Sequence, residues 1–231
     1  MPRTARYVAP GVAHHITQRG TARQIVFRTR ADRRVYLGLL RDQASFLGLS
    51  ILAYCLMPNH IHLIAVPPEE DSLAILLRRV HGRFAQYFNA RQSRSGHLWQ
   101  NRFYSCPLGP GHLWTAIRYV ELNPVRSGLA IEPADYEWSS ASAHFAGLDA
   151  RRLLDMPFFE QAGGVAGWRR LFGEPESEPA YSALRKSTYS GQPFGDQSFR
   201  DEIQARRREC PTNSRAAAEP SPHEQVLAAA I

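Results

Sequence analysis

The stretch SILAYCLMPNHIHLIAV, Ser50 to Val66, constrains this chain more than any other. It holds two apolar strands, Ser50 to Leu56 and His60 to Val66, linked by a turn at Pro58-Asn59 and closed by Pro67-Pro68. A link so short admits one arrangement, an antiparallel hairpin. The fold must be built around it, and the flanking patterns say how. Residues 32–48 put Val35, Leu39, Leu40, Ala44 and Leu47 on one helical stripe. Beyond the hairpin, from a cap at Asp71 or Ser72, Leu73, Leu76, Leu77, Val80, Phe84, Tyr87 and Phe88 recur at helical spacing. Arg78, Arg79, Arg83 and Arg91 fall off that stripe. Residues 11–19, between two glycines, read as an opening strand. Gly96 to Leu108 reads as a further strand, and residues 111–122 as a helix ended by Asn123-Pro124.

The order β-α-β-β-α-β-α is a split βαβ pattern. It predicts an α+β, ferredoxin-like antiparallel sheet with helices packed on one face, followed by a C-terminal extension. Residues 1–150 form the expected main domain. Residues 151–208 form the extension, a candidate for further DNA contact. Residues 209–231, rich in Ala, Pro, Ser and Glu, read as a disordered tail.

Charge narrows the choice of partner. The net charge is +7, and of 28 basic residues only Lys186 is lysine. Arginine suits phosphate because its planar fork binds two oxygens and stacks on bases. Six arginines, Arg3, Arg6, Arg19, Arg23, Arg28 and Arg30, precede the first acidic residue, Asp32. A polyanion is the expected partner. Cys55, Cys106 and Cys210 stand apart with no C-x-x-C, which argues against a disulfide framework and a cysteine zinc site. No apolar run approaches a membrane span and the first residues lack a signal-peptide core, so a cytoplasmic protein with no membrane partner is expected.

The chemistry centres on the hairpin's second strand. Side chains alternate along a strand, so His60 and His62 share one face. Two imidazoles a strand step apart can chelate a divalent cation, and can equally be satisfied polar residues of the core. The helix before Pro124 carries Tyr119 and Asn123, four apart and therefore neighbours. A tyrosine facing a metal can attack a phosphodiester, provided positive charge helps it ionise, for which Arg118 is at hand. Tyr119 can also be an amphipathic residue at the boundary between helix and sheet. Of His14 and His15, which point to opposite faces, at most one can reach such a site. Trp99 and Phe103 suit either base stacking or the core.

These segments together resemble the single-tyrosine (Y1) HUH transposases, the IS200-like group, and within it the REP-associated tyrosine transposases. MPNHIHLI resembles the family's His-hydrophobic-His motif, and GVAHHITQRGTARQIVF its opening strand and arginine-rich turn. RRVHGRFAQYFNARQSRSGHLWQNRFYS resembles the central helix and the segment after it, and RYVELNPVRSGL the helix of the catalytic tyrosine. The likeness covers roughly residues 7–145. It implies that His60 and His62 bind Mg²⁺ or Mn²⁺ and that Tyr119 is the nucleophile. Asn123 either supplies a third ligand or merely ends its helix. Arg19, Arg23, Arg83, Arg102 and Arg118 are the arginines expected at the DNA.

The implied substrate is single-stranded or hairpin DNA, nicked and rejoined through a 5′-phosphotyrosine. Some relatives are dimers that share active sites and others act as monomers, so a homodimer is compatible with the sequence. Leu184 to Phe199 resembles a C-terminal module of longer members, with Gln192-Pro193-Phe194 where Arg-Pro-Leu is expected. The rival readings are a DNA-binding protein of this fold without catalysis, a histidine-triad hydrolase, and an RRM-like RNA binder. The triad would need a histidine where Ile64 stands, and the RRM aromatic residues where the histidines stand.

Overall fold

A computed structural model describes residues 7–209. Four strands, β1 (His14–Arg19), β2 (Ser50–Met57), β3 (His60–Val66) and β4 (Tyr104–Pro107), form one antiparallel sheet in the order β2-β3-β1-β4. Helix α1 (Arg30–Leu47) connects β1 to β2, and α2 (Ser72–Arg91) connects β3 to β4. This is the ferredoxin-like split βαβ order that the hairpin and its flanking periodicities predict. Five further helices follow α3 (Pro110–Arg126): α4 (Ala141–Ala146), α5 (Met156–Gln161), α6 (Gly164–Gly173), α7 (Glu178–Ser190) and α8 (Gln197–Glu209).

Helices cover both faces of the sheet, not one. On the first face Ile16, Ile51, Tyr54, Leu56, Ile61 and Leu63 meet Tyr36 and Leu40 of α1 and Leu76, Val80 and Phe84 of α2. On the second, Ala53, Cys55, Ile64 and Cys106 meet Ile117 and Val120 of α3, Trp168 of α6 and Tyr181 and Leu184 of α7. The second layer exists because the alternate residues of β2 and β3 are apolar too. The strands read as continuous apolar runs, the mark of a sheet buried on both sides. Within residues 151–208, Phe159, Trp168, Tyr181 and Leu184 therefore pack on this same sheet, while Phe199 and Ile203 of α8 pack with Ala9.

Three boundaries differ from the sequence reading. The opening strand starts at His14, because Gly11 turns with φ +72°. The expected strand from Gly96 shrinks to β4. Residues 98–100 do lie beside the end of β1, with Thr21 N–H donating to Leu98 O and Gln100 N–H to Arg19 O. Asn101, at φ +52°, then turns the chain out of register. The helix expected to stop at Asn123-Pro124 runs through it to Arg126. Pro124 removes one backbone bond near the C-terminal end, and its ring is buried. Beyond Glu209, the last residue of α8, the expected tail lies outside the described residues.

Candidate active site

β1 and β3 are the two central strands, and their register assembles the site. Thr17 lies opposite His62 and Arg19 opposite His60, while β2 places Cys55 and Met57 on the other side of those histidines. Cross-strand partners share a face, so His15, His62 and His60 all turn toward α3. Tyr119 stands over them. Its ring is edge-on to His62 (centroids 5.4 Å, 87°) and to His15 (5.8 Å, 90°). Because α3 continues through Pro124, Asn123 stays one turn below Tyr119, where it favours the ionised hydroxyl.

A second partner of that hydroxyl comes from α7. The charge of Arg185 acts on Tyr119, and its guanidinium is itself held by Glu178, 2.5 Å away. Arg126 lies 5.7 Å from the Tyr119 ring centroid and 4.7 Å from that of Tyr181, and pairs with the same Glu178. Burial raises the Tyr119 pKa above the usual tyrosine value. The Arg185 charge and the Asn123 side chain oppose that rise. The cationic help expected from Arg118 is thus supplied by Arg185.

The histidines are held in a defined orientation. Asn59 Nδ2 donates to Arg23 O at 3.2 Å, which leaves Asn59 Oδ1 as the acceptor for His60 Nδ1–H at 2.6 Å. His62 Nδ1 bonds to His15 Nε2 at 3.0 Å. Among the described residues neither His60 Nε2 nor His62 Nε2 has a hydrogen-bond partner. Burial, aided by Arg19, lowers the His60 pKa to about 4. Burial, with His60, His15 and Arg19 beside it, pushes His62 well below the usual value. Both rings are therefore neutral at neutral pH, the state a metal requires.

These donors fit a divalent cation: two outward lone pairs on one face, each ring anchored through its other nitrogen. No set of three His, Cys, Asp or Glu side chains converges among the described residues. Further ligands must come from an amide such as Asn123, from water or from substrate.

The expected DNA arginines scatter. Arg19 borders the histidines. Arg23 is exposed on a turn whose Ala22 and Arg23 both have positive φ, and Asn59 clasps its carbonyl. Arg102 is exposed and lines a groove of about 260 Å³ with Tyr104, Tyr189, Gln192 and Arg207. Arg83 is exposed on α2, on the far face of the sheet, so the structure does not bring it to the site. Arg118 is buried, and its guanidinium donates to the carbonyls of Glu174 and Pro175. One helical step from Tyr119 turns it away from the tyrosine ring toward the α6–α7 connection.

Trp99 stacks on His81, and Phe103 is core. The Tyr136 hydroxyl is taken by Leu56 O. Phe194 pairs with the end of β4, its N–H donating to Pro107 O and its carbonyl accepting from Gly109 N–H. Sequence reasoning missed Asn59, Arg185 and Thr188, and kept His15 only as one of a pair. The Asn directly before the first motif histidine was the one local signal.

Fold and site together define a class: a ferredoxin-like sheet whose central histidine pair faces a helix-borne tyrosine. Residues 9–123 match the family model described as "Transposase IS200 like". That stretch, 115 of the 231 residues, places the chain with the IS200-like transposases. It is 28% identical over 100 residues to a protein of Haemophilus influenzae provisionally named REP-associated tyrosine transposase. That match covers 38% of this chain and 57% of the relative, so the likeness spans little more than half of the relative's length. The fold is shared with a REP-associated tyrosine transposase solved bound to a REP hairpin (TM-score 0.51, 19% identity, 66% of this chain and 90% of that one).

Proposed function

We propose that this chain nicks and rejoins hairpin-forming, REP-like single-stranded DNA through a 5′-phosphotyrosine on Tyr119, with Mg²⁺ or Mn²⁺ held by His60 and His62. The observation that carries the reading is the placement of Tyr119: edge-on to His62 at 5.4 Å, with Asn123 one helical turn away and the Arg185 charge acting on its hydroxyl. The fold neighbour solved on a REP hairpin and the REP-associated relative support the choice of DNA.

A cation on the pair would supply Lewis acidity at a non-bridging phosphate oxygen. The rest belongs to the protein. Arg185 stabilises the phenolate as the Tyr119 proton leaves. The phenolate oxygen forms a bond to phosphorus while the bond from phosphorus to the 3′-oxygen breaks, and that oxygen takes up a proton. One phosphoester replaces another, so rejoining needs no ATP. Asn123 holds the ring in line from one turn below, and Arg19 neutralises a neighbouring phosphate.

The test is incubation with labelled hairpin-bearing single-stranded DNA and Mn²⁺. An SDS-resistant adduct is expected, lost with EDTA and in Tyr119→Phe, His60→Ala and His62→Ala. Tight, salt-sensitive binding with no adduct on any hairpin would instead make this a DNA-binding protein without catalysis.

A further inference from the structure

A directional hydrogen-bond chain runs from α7 to His62. It starts at Thr188, buried on α7, whose hydroxyl donates to Leu184 O at 2.8 Å. With its one proton committed, Thr188 Oγ1 can only accept. It accepts from His15 Nδ1 at 2.7 Å, and the Cys106 thiol lies 3.4 Å from the same oxygen. His15 is wholly buried and bonds to no carboxylate, so it is neutral, and with Nδ1 protonated its Nε2 is a bare acceptor. His62 Nδ1, 3.0 Å away, must then be the donor. The two rings lie nearly parallel, 8° apart, with centroids 5.2 Å apart, a spacing compatible with one N–H···N bond between their edges. A neutral His62 that donates from Nδ1 carries its lone pair on Nε2.

We infer that His15 and Thr188 are positioning residues that set the His62 tautomer, fixing Nδ1–H so that the Nε2 lone pair is presented for a divalent cation. The inference rests on the reading of His60 and His62 as the cation's ligands. It also gives α7 a task. Thr188 lies outside residues 9–123, the stretch that matches the family model, so the C-terminal helices complete the site from behind. His60 receives the same instruction from its own side, through Asn59 in the hairpin turn. Each imidazole is oriented by a different part of the chain. Without an acceptor at 188 the chain has no fixed sense, and His62 is free to take the Nε2–H form, which blocks the ligating nitrogen.

The experiment reads tautomers directly, by long-range ¹⁵N–¹H correlation of the imidazoles in the metal-free, full-length protein. Mn²⁺ affinity is measured in parallel by the paramagnetic signal of the free ion. Wild type is expected to show His62 protonated at Nδ1. Thr188→Val, nearly the same shape without the acceptor, is expected to shift His62 toward Nε2–H and weaken Mn²⁺ binding about 10-fold or more. Thr188→Ser should retain both properties. His15→Gln offers an amide oxygen to His62 Nδ1–H and should make affinity indifferent to Thr188→Val. A wild-type His62 protonated at Nε2 overturns the inference, as does a folded Thr188→Val with unchanged tautomer and affinity. If the Nδ1–H tautomer is found but the protein takes up no Mn²⁺, the metal reading of the pair is what falls.

Discussion

The buried histidines make this fold acid-labile. Burial lowers the pKa of His14 to about 4, His15 to about 3, His60 to about 4 and His81 to about 3, and His62 lies well below its usual value. In the unfolded chain each returns to about 6.5. Between those values the unfolded state binds more protons, so stability falls as pH drops through 6.5 and is flat above it. Each histidine removes about 1.4 kcal/mol per pH unit, hence about 2 kcal/mol at pH ~5. The four with pKa values of about 3 to 4 together remove about 8 kcal/mol, comparable to a typical domain's whole stability, and His62 acts in the same direction.

Carboxylates with lowered pKa, Glu178 and Asp196, act only at lower pH, below about 4, so the two effects separate. The assay is urea unfolding of the metal-free protein at about pH 7.5, 6.5 and 5.5, followed by the fluorescence of Trp138 and Trp168, which report on the two cores. The expected result is a constant midpoint down to about pH 6.5 and a steep fall below it. An unfolding free energy unchanged between about pH 7 and pH 5 would refute the burial of neutral histidines.

Three other perturbations probe separate parts of the account. Arg185 is partly exposed, so its interaction with the phenolate is worth about 1–2 kcal/mol after screening, and Arg185→Ala should slow adduct formation about 5- to 30-fold, with Arg185→Lys recovering part. Equal rates would remove Arg185 from the mechanism. Glu121 is wholly buried and accepts from Ser140 (2.5 Å), His144 (2.6 Å) and Trp168 (2.9 Å). Glu121→Leu leaves those donors unpaired and should cost about 3–5 kcal/mol in chemical denaturation. A loss under about 1 kcal/mol would contradict that network. Arg19→Ala should reduce the salt slope of single-strand binding by about 0.7, whereas Arg118→Ala should leave the slope unchanged and lower the melting temperature.

Where the sequence was readable, local rules sufficed. The Pro58-Asn59 hairpin, α1, α2 and the shared face of His60 and His62 follow from period and turn chemistry alone. The reading failed where tertiary structure overrode a local rule. Pro124 does not end α3, because the buried stripe of Ile117, Val120 and Pro124 keeps the helix going past one missing bond. Arg118 looked like the cation for Tyr119, but a neighbour in sequence on a helix is turned about 100° away. Arg185 and Thr188 reach the site from α7, some 65 residues beyond Tyr119, and no periodicity in α7 points to Tyr119 or His15. His15 was half legible: alternation showed that one of His14 and His15 faces the site, and only the β1–β3 register shows which.

The proposed reaction leaves Tyr119 covalently attached to DNA. The direct measurement is mass spectrometry of the trapped adduct after nuclease and trypsin digestion, where cleavage after Arg118 and Arg126 releases YVELNPVR with Tyr119 at its start. A 5′-linked nucleotide on Tyr119 in that peptide is the expected result. The same modification on Tyr104, Tyr181 or Tyr189, with Tyr119 unmodified, would contradict it.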